Sequence, residues 1–364
     1  MIYCDYQATT PLAPEAREAM LPWLDGPDGT GFGNPHSPHR FGRQAAAAVE
    51  LARDRVAALF PPGGRVIFTG SATEAINLAL RGSHPPGDAR PVAVSAIEHA
   101  AVLDTARALR CPVEILPVDR AGLVDPACGL PDAVRLVAVM QVNNEIGTIQ
   151  PVDALARRAK ELGALFLCDA VQGAGKLAPP AEADMIAVSA HKLYGPKGIG
   201  ALWIRDGVVL EPLLTGGGQE QGLRSGTLSP ALCAGFGVAA RLSTELLEND
   251  AQHVEKLWAR VHSLLPEWEL NGSADSRWHG NLNIRREGLD VARLMSDLRT
   301  IAFSAGSACA SGSGRPSHVL SALGLSARQA KSSIRLGFGR YTTLDEIEMV
   351  AESLNAAAER QDMR

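Results

Sequence analysis

From about residue 65 this 364-residue chain alternates short apolar, β-branched runs with longer helical patterns, and few folds accept that rhythm. Arg65-Val66-Ile67-Phe68-Thr69 reads as a strand, and Thr73-Glu74-Ala75-Ile76-Asn77-Leu78 begins a helix. Pro91-Val92-Ala93-Val94 precedes a second helical stretch, from about His99 to Leu109. Leu136-Val137-Ala138-Val139-Met140 is almost wholly apolar, as expected of a strand buried on both faces. Leu165-Phe166-Leu167 and Met185-Ile186-Ala187-Val188 follow in the same style, with a helix near Val152–Leu162. The pattern predicts an α/β domain with a mainly parallel sheet. Ligands on such sheets bind beyond the C-terminal strand ends, which is where the polar clusters of this sequence fall.

A long helical region, roughly Pro230 to Leu265, leads into a different composition. Strand candidates there are Leu282-Asn283-Ile284, Ile301-Ala302-Phe303-Ser304 and Ile334-Arg335-Leu336, and Thr343 with Glu346 predicts a capping box for the last helix. This part reads as a smaller α+β domain, and the length suits two domains.

Composition excludes several classes. A net charge of −5 supplies no basic field, so nucleic acid is not an expected partner. The sequence has neither an apolar run of the ~18 residues that a membrane span requires nor a secretory signal at its start, so the expected compartment is the cytosol. Six cysteines (Cys4, Cys111, Cys128, Cys168, Cys233 and Cys309) form no C-x-x-C pair, which argues against zinc and against a disulfide framework.

Six segments carry candidate chemistry. Lys192, in Ser189-Ala190-His191-Lys192-Leu193-Tyr194-Gly195, follows an apolar strand directly. An apolar wall lowers the pKa of a lysine and frees its amine for Schiff-base chemistry; the plainer reading is a loop lysine paired with a carboxylate. Asp169 closes the run Leu167-Cys168-Asp169 and requires a cationic partner if buried, such as a protonated pyridine nitrogen; a helix cap or salt bridge competes. Gly70-Ser71-Ala72-Thr73-Glu74 joins strand to helix, where N–H groups and hydroxyls would receive a phosphate, or where Thr73 simply caps the helix. His99 could stack on a cofactor ring and handle protons, or be structural. Cys309 lies among small residues, Ser304 to Gly314, which predicts an exposed, mobile segment and a nucleophilic thiol. Arg335, on a predicted strand, has the two-pronged geometry that grips a carboxylate, against a surface ion pair.

In this order the set resembles the cysteine desulfurases of the class V aminotransferase superfamily. The resemblance runs from Tyr3–Pro11 and Gly33–Ser37 through Gly70–Asn77, Glu98-His99, Val142–Gly147, Asp169–Gln172 and Ser189–Gly200 to Gly216–Glu220, Arg224–Thr227, the Cys309 segment and Ser333–Arg340. It implies the fold-type I architecture of pyridoxal-phosphate transferases, with a mainly parallel seven-stranded sheet in a large domain and a smaller α+β domain. The implied boundaries are 13–248 for the large domain, with 1–12 and 249–364 forming the small one.

The resemblance also implies roles. Lys192 would carry pyridoxal phosphate and move protons at the substrate, Asp169 would pair with the ring nitrogen, Gln172 would bond the ring hydroxyl and His99 would stack on the ring. Ala72, Thr73, Ser189 and His191 would contact the phosphate, with Thr227 reaching it from the other subunit of a homodimer with shared sites. Asn144 would serve both cofactor and substrate, holding the carboxylate of L-cysteine with Arg335. Sulfur would pass to Cys309, leaving alanine, and then to an acceptor or scaffold protein for iron–sulfur cluster assembly or tRNA thiolation. No intrinsic metal is implied, Cys309 at most ligating an iron–sulfur cluster in transit. Gln141 stands where a histidine is common in the family and Ala310 where threonine is common. A selenocysteine lyase, an aminotransferase and a non-catalytic scaffold are the rival readings; Cys309 argues against the second, and the Lys192, Asp169, His99 set against the third.

Overall fold

A computed structural model describes residues 1–85, 87–306 and 317–363. Strand β1 (Ile2–Tyr3) opens the chain and is followed by helices α1 (Pro14–Met20) and α2 (Arg40–Ala57). The central sheet is built from β2 (Gly64–Thr69), β3 (Val92–Ser95), β4 (Val113–Leu116), β5 (Leu136–Ala138), β6 (Leu165–Asp169), β7 (Met185–Ser189) and β8 (Gly200–Arg205). Their order across the sheet is β2-β8-β7-β6-β5-β3-β4, and β8 alone runs against the other strands. The mainly parallel seven-stranded sheet is as the family resemblance implies.

Helices α3 (Ala72–Gly82) and α4 (Ala100–Ala108) cover one face, while α1, α2, α5 (Val152–Glu161) and α6 (Pro230–Glu245) cover the other. The period of two along each strand divides its side chains between two cores. Ile67 and Leu167 pack with α3 and α4, whereas Val66, Phe68, Phe166 and Cys168 pack on the opposite face. Covered on both sides, these strands carry almost no polar residue until their ends.

Helix α7 (Leu247–Leu264) leads to an antiparallel sheet of β9 (Glu269–Leu270), β10 (Asn281–Arg285), β12 (Ser304–Ala305) and β13 (Ser333–Gly337), while β11 (Ile301–Ala302) pairs with β1. Helices α8 (Val291–Asp297), α9 (His318–Ala322), α10 (Ala327–Lys331) and α11 (Leu344–Asp362) complete this part. A separate core forms here from Cys4 and residues beyond Val254.

The structure corrects several expectations of detail. Pro230–Leu265 is two helices, broken at Leu246, whose backbone (φ −102°, ψ 7°) leaves the helical region. The run Ile301–Ser304 is divided between two sheets at Phe303. Strands β4 and β8 were not anticipated as segments: β4 is a half-exposed edge, and β8 follows a Gly-Pro-Lys-Gly turn that reads as loop. The capping box of α11 is present, with Thr343 and Glu346 each accepting from the other's backbone N–H.

Candidate active site

Five strand ends converge on a cavity of about 350 Å³. That volume suits a small cofactor-sized ligand. Ser71, Ala72 and Thr73 come from the end of β2, His99 from beyond β3, Asn144 from beyond β5, Asp169 and Gln172 from β6, and Ser189, His191 and Lys192 from β7. Arg335 enters from β13 of the smaller part. Ten of the residues expected from the sequence therefore share one cavity: Ala72, Thr73, His99, Asn144, Asp169, Gln172, Ser189, His191, Lys192 and Arg335. Thr227 is exposed and lies outside its lining, and Cys309 lies outside the described residues.

Lys192 ends a single 3-10 turn, Ala190–Lys192, directly after β7. The turn is pinned from both sides. Tyr194 adopts a φ of 66°, rare for a bulky residue, and its N–H donates to Thr10 Oγ1 at 2.8 Å. The N-terminal segment crosses over it: Thr10 N–H and Oγ1 both donate to the His191 carbonyl, at 2.9 and 3.0 Å. Lys192 Nζ donates to the carbonyls of Gln7 and Ala8, the latter at 2.8 Å. Gln7 and Ala8 thus belong to the cavity wall, a role that periodicity could not reveal because the segment has no regular structure.

Asp169 is buried, and burial pushes its carboxyl above the ordinary aspartate value, opposed by the charges of His99 and Lys192 and by the N–H of Val171, which donates to Oδ1 at 3.0 Å. Gln172 donates through Nε2 to the Gln7 carbonyl at 3.0 Å, leaving its buried Oε1 with no hydrogen-bond partner. His99 caps α4, with Nδ1 accepting from the Ala101 N–H at 3.0 Å. That contact places the ring hydrogen of the neutral imidazole on Nε2.

At the other end of the cavity the cap of α3 is Ser71, whose Oγ accepts from Glu74 N–H at 3.2 Å; Thr73 stands within the first turn. The segment caps the helix through Ser71 and not through Thr73, and it also lines the cavity. Strand β8 passes so close that a Cβ on Gly200 would come within 2.6 Å of the Ser71 carbonyl carbon and 2.8 Å of the Ala72 nitrogen. His191 is held neutral, its pKa lowered to about 4 by burial and by Lys192, Lys197 and Lys176. Its Nδ1 lies 3.1 Å from Thr9 Oγ1.

Arg335 is not a surface ion pair but a buried one. Its Nη2 donates to Asp5 Oδ1 at 2.7 Å and its Nη1 to the Asn144 carbonyl at 2.9 Å, while Nε is buried without a partner. Asp5 is a second contributor that the sequence left without a role.

These residues fit pyridoxal phosphate. A buried carboxyl lifted by desolvation gains most from a cationic ring nitrogen, the orphaned Gln172 oxygen can accept from a ring substituent, and the α3 N-terminus with Ser189 and neutral His191 offers donors to a phosphate. Among the described residues no group of three or more His, Cys, Asp or Glu could hold a metal ion.

The model of the family Aminotransferase class-V matches residues 2–350. The cysteine desulfurase IscS of Rickettsia typhi is 42% identical over 366 residues, covering 95% of this chain and 88% of that protein. Among solved structures, a NifS-like protein superposes with a TM-score of 0.89 at 32% identity over 100% of both chains. SspA, solved in complex with cysteine, does so with a TM-score of 0.81 at 32% identity over 94% of this chain and 100% of its own.

Proposed function

The chain belongs to the class-V aminotransferase family, and on that footing we propose which residues of this cysteine desulfurase do its chemistry: Lys192 carries the pyridoxal phosphate and Cys309 receives the sulfur. The observation that carries this reading is the cavity itself, which brings an amine, a buried carboxyl, a capped imidazole and a buried guanidinium to one set of strand ends.

Bound there, the cofactor supplies an electron sink for the charge that develops on the substrate carbons. Asp169 would hold the ring nitrogen protonated, the attraction between the two offsetting the desolvation that burial imposes on the carboxyl. Lys192, seated on its pinned turn, takes the proton from the substrate α-carbon and returns one. His99, its orientation fixed by the helix cap, would stack on the ring. Asn144 and Arg335 bind the carboxylate of L-cysteine, the unpartnered Nε being a donor still available to it.

The Cys309 thiolate attacks the substrate sulfur. An S–S bond forms as the C–S bond breaks, the electron pair of that bond stays with carbon, and protonation there completes alanine. Neither forming the persulfide nor passing its outer sulfur to an acceptor thiolate consumes an outside oxidant or reductant; only its release as sulfide requires a reductant. The five described cysteines support the assignment: none lines the cavity, and burial raises the pKa of each, to about 12 for Cys4 and Cys233. A thiol so raised is not a nucleophile near neutral pH.

Thr227, exposed on its own chain, serves the phosphate in the cavity of a second copy, making a homodimer with shared sites. The persulfide goes to an acceptor or scaffold protein of iron–sulfur cluster assembly or tRNA thiolation, in keeping with the likeness to the Rickettsia relative. The described residues include no helix long and apolar enough to cross a membrane.

Lys192→Ala tests the assignment of the lysine. With cofactor added, the variant is expected to lack the absorbance band at roughly 400–430 nm that such adducts give and to make no alanine. A variant that keeps both band and turnover contradicts the role.

A further inference from the structure

Strand β2 is the end strand of the central sheet, so one of its edges has no strand beside it. An ion pair covers that edge. Arg53 of α2 donates through Nη1 to the Val66 carbonyl at 2.9 Å, and Phe68 N–H donates to Glu220 Oε2 at 2.5 Å. The two side chains grip each other with both prongs, Nη1 to Oε2 at 2.8 Å and Nη2 to Oε1 at 2.7 Å. Glu220 is buried, and the side chain of Arg53 is 18% exposed. The pair does for β2 what a neighbouring strand would do, accepting from one backbone N–H and donating to one carbonyl.

Glu220 belongs to a loop, residues 214–227, that the ion pair holds in a costly shape. Glu220 and Gln221 adopt φ values of 51° and 57°, left-handed backbone that residues with side chains avoid and that persists only where the surroundings impose it. Next to Glu220, Gln219 Oε1 accepts from Gly226 N–H at 2.9 Å, and Ser225 Oγ accepts from Gly218 N–H at 3.2 Å. Gly226 is bonded directly to Thr227. A short path of fixed contacts thus runs from the β2 edge through Glu220 and Gln219 to the exposed Thr227. A second tie, Arg224 Nε donating to Glu74 Oε1 at 2.7 Å, fastens the same loop to the first turn of α3. Neither Arg53 nor Glu220 lines the cavity of its own chain.

We propose that the Arg53–Glu220 pair is a positioning device that holds Thr227 in the geometry a second copy's cavity needs, so that Glu220 of one chain sets cofactor affinity in the other. This rests on Thr227 serving the phosphate of a second copy. A buried ion pair adds little net stability over an apolar pair but is costly to break, and here it selects one shape for the loop. A phosphate contact must be placed to within a hydrogen-bond length, so a loop that samples several shapes gives up affinity. Glu220→Gln keeps the size of the side chain and an acceptor for Phe68, but it removes the charge that Arg53 grips.

The test uses full-length hybrid dimers of two differently tagged chains, because Lys192→Ala removes the absorbance band at roughly 400–430 nm from one cavity and leaves the other to report. The cis hybrid pairs a wild-type chain with a chain carrying both Glu220→Gln and Lys192→Ala, so its reporting cavity is served by the altered loop. The trans hybrid divides the two substitutions between the chains, so its reporting cavity is served by an unaltered loop. Titration with pyridoxal phosphate is expected to show affinity about fivefold or more weaker in the cis hybrid and within about twofold of wild type in the trans hybrid. Weakening in the trans hybrid, or equal affinity in both, overturns the proposal, since the pair then serves its own cavity or the fold alone. Thr227→Ala in the same two arrangements separates the proposal from its premise. A cis–trans difference of about tenfold for Thr227 with none for Glu220 overturns the role of the pair alone, and no difference for Thr227 overturns the reading of shared sites. Should Glu220→Gln not accumulate as folded protein, Gln219→Ala, which removes the tie to Gly226, carries the same cis–trans expectation at about threefold.

Discussion

Glu98 precedes His99 and is fully buried, with Oε1 accepting from Ser95 Oγ at 2.5 Å and from Met140 N–H at 2.8 Å, and Oε2 without a partner. Burial, with Asp169 adding to it, raises its pKa from the usual 4.5 to about 8. The folded protein therefore keeps a proton that the unfolded chain has already released, and stability declines as pH rises from about 4.5 to about 8. Glu98→Gln reproduces the neutral acid and cannot ionise. Thermal melts between pH 5 and 9 are expected to show the melting temperature of the variant gaining on wild type as pH rises; a constant difference contradicts the neutral Glu98. At this scale the sequence identified residue types better than their partners. Lys192, Asp169 and His99 were legible because each follows an apolar strand. The Arg335–Asp5 pair was not, since the two residues are 330 positions apart and meet only when β13 is paired and the N-terminal segment is laid across it. Ser71 rather than Thr73 caps α3, a two-residue difference set by where the strand ends and not by composition.

Among the elements, β8 has an unusual duty. It is the one reversed strand of the central sheet, and it is wedged between β2 and β7, the strands that deliver the phosphate-end residues and Lys192. Gly200 pairs with both Thr69 and Ser189 and leaves room for the Ser71–Ala72 turn. Gly200→Ala is expected to displace that turn, lowering stability by about 1–3 kcal/mol as overpacked sites do and weakening cofactor retention about tenfold. A cofactor titration followed by absorbance, alongside thermal melting, checks this. Unchanged affinity in a folded variant contradicts the account of the turn. The segments that sequence reading found are those with continuous apolar runs, β2, β3, β5, β6 and β7, because both of their faces are buried. It missed β4, whose residues are partly exposed at the sheet edge, and β8, whose start is a glycine. Leu246 breaks the helical pattern with no proline or glycine near it to announce the break.

For the molecule as a whole, the strand ends of a parallel sheet supply most of the site, and two remote pieces of chain complete it. Gln7 and Ala8 close the cavity over Lys192, and Arg335 reaches in from the smaller sheet. The α/β architecture followed from the alternation of patterns alone, whereas the assembly of remote pieces was legible only through resemblance to a family. Local periodicity carries no information about which distant segments meet. The central claim is that this assembly moves sulfur from L-cysteine to Cys309. The most direct test measures alanine and sulfide from L-cysteine in the presence of a thiol reductant, for wild type and Cys309→Ser, with cofactor absorbance recorded for both. The account predicts equimolar alanine and sulfide from wild type, and a variant that binds cofactor normally yet makes little of either. Equal product from both proteins would contradict it.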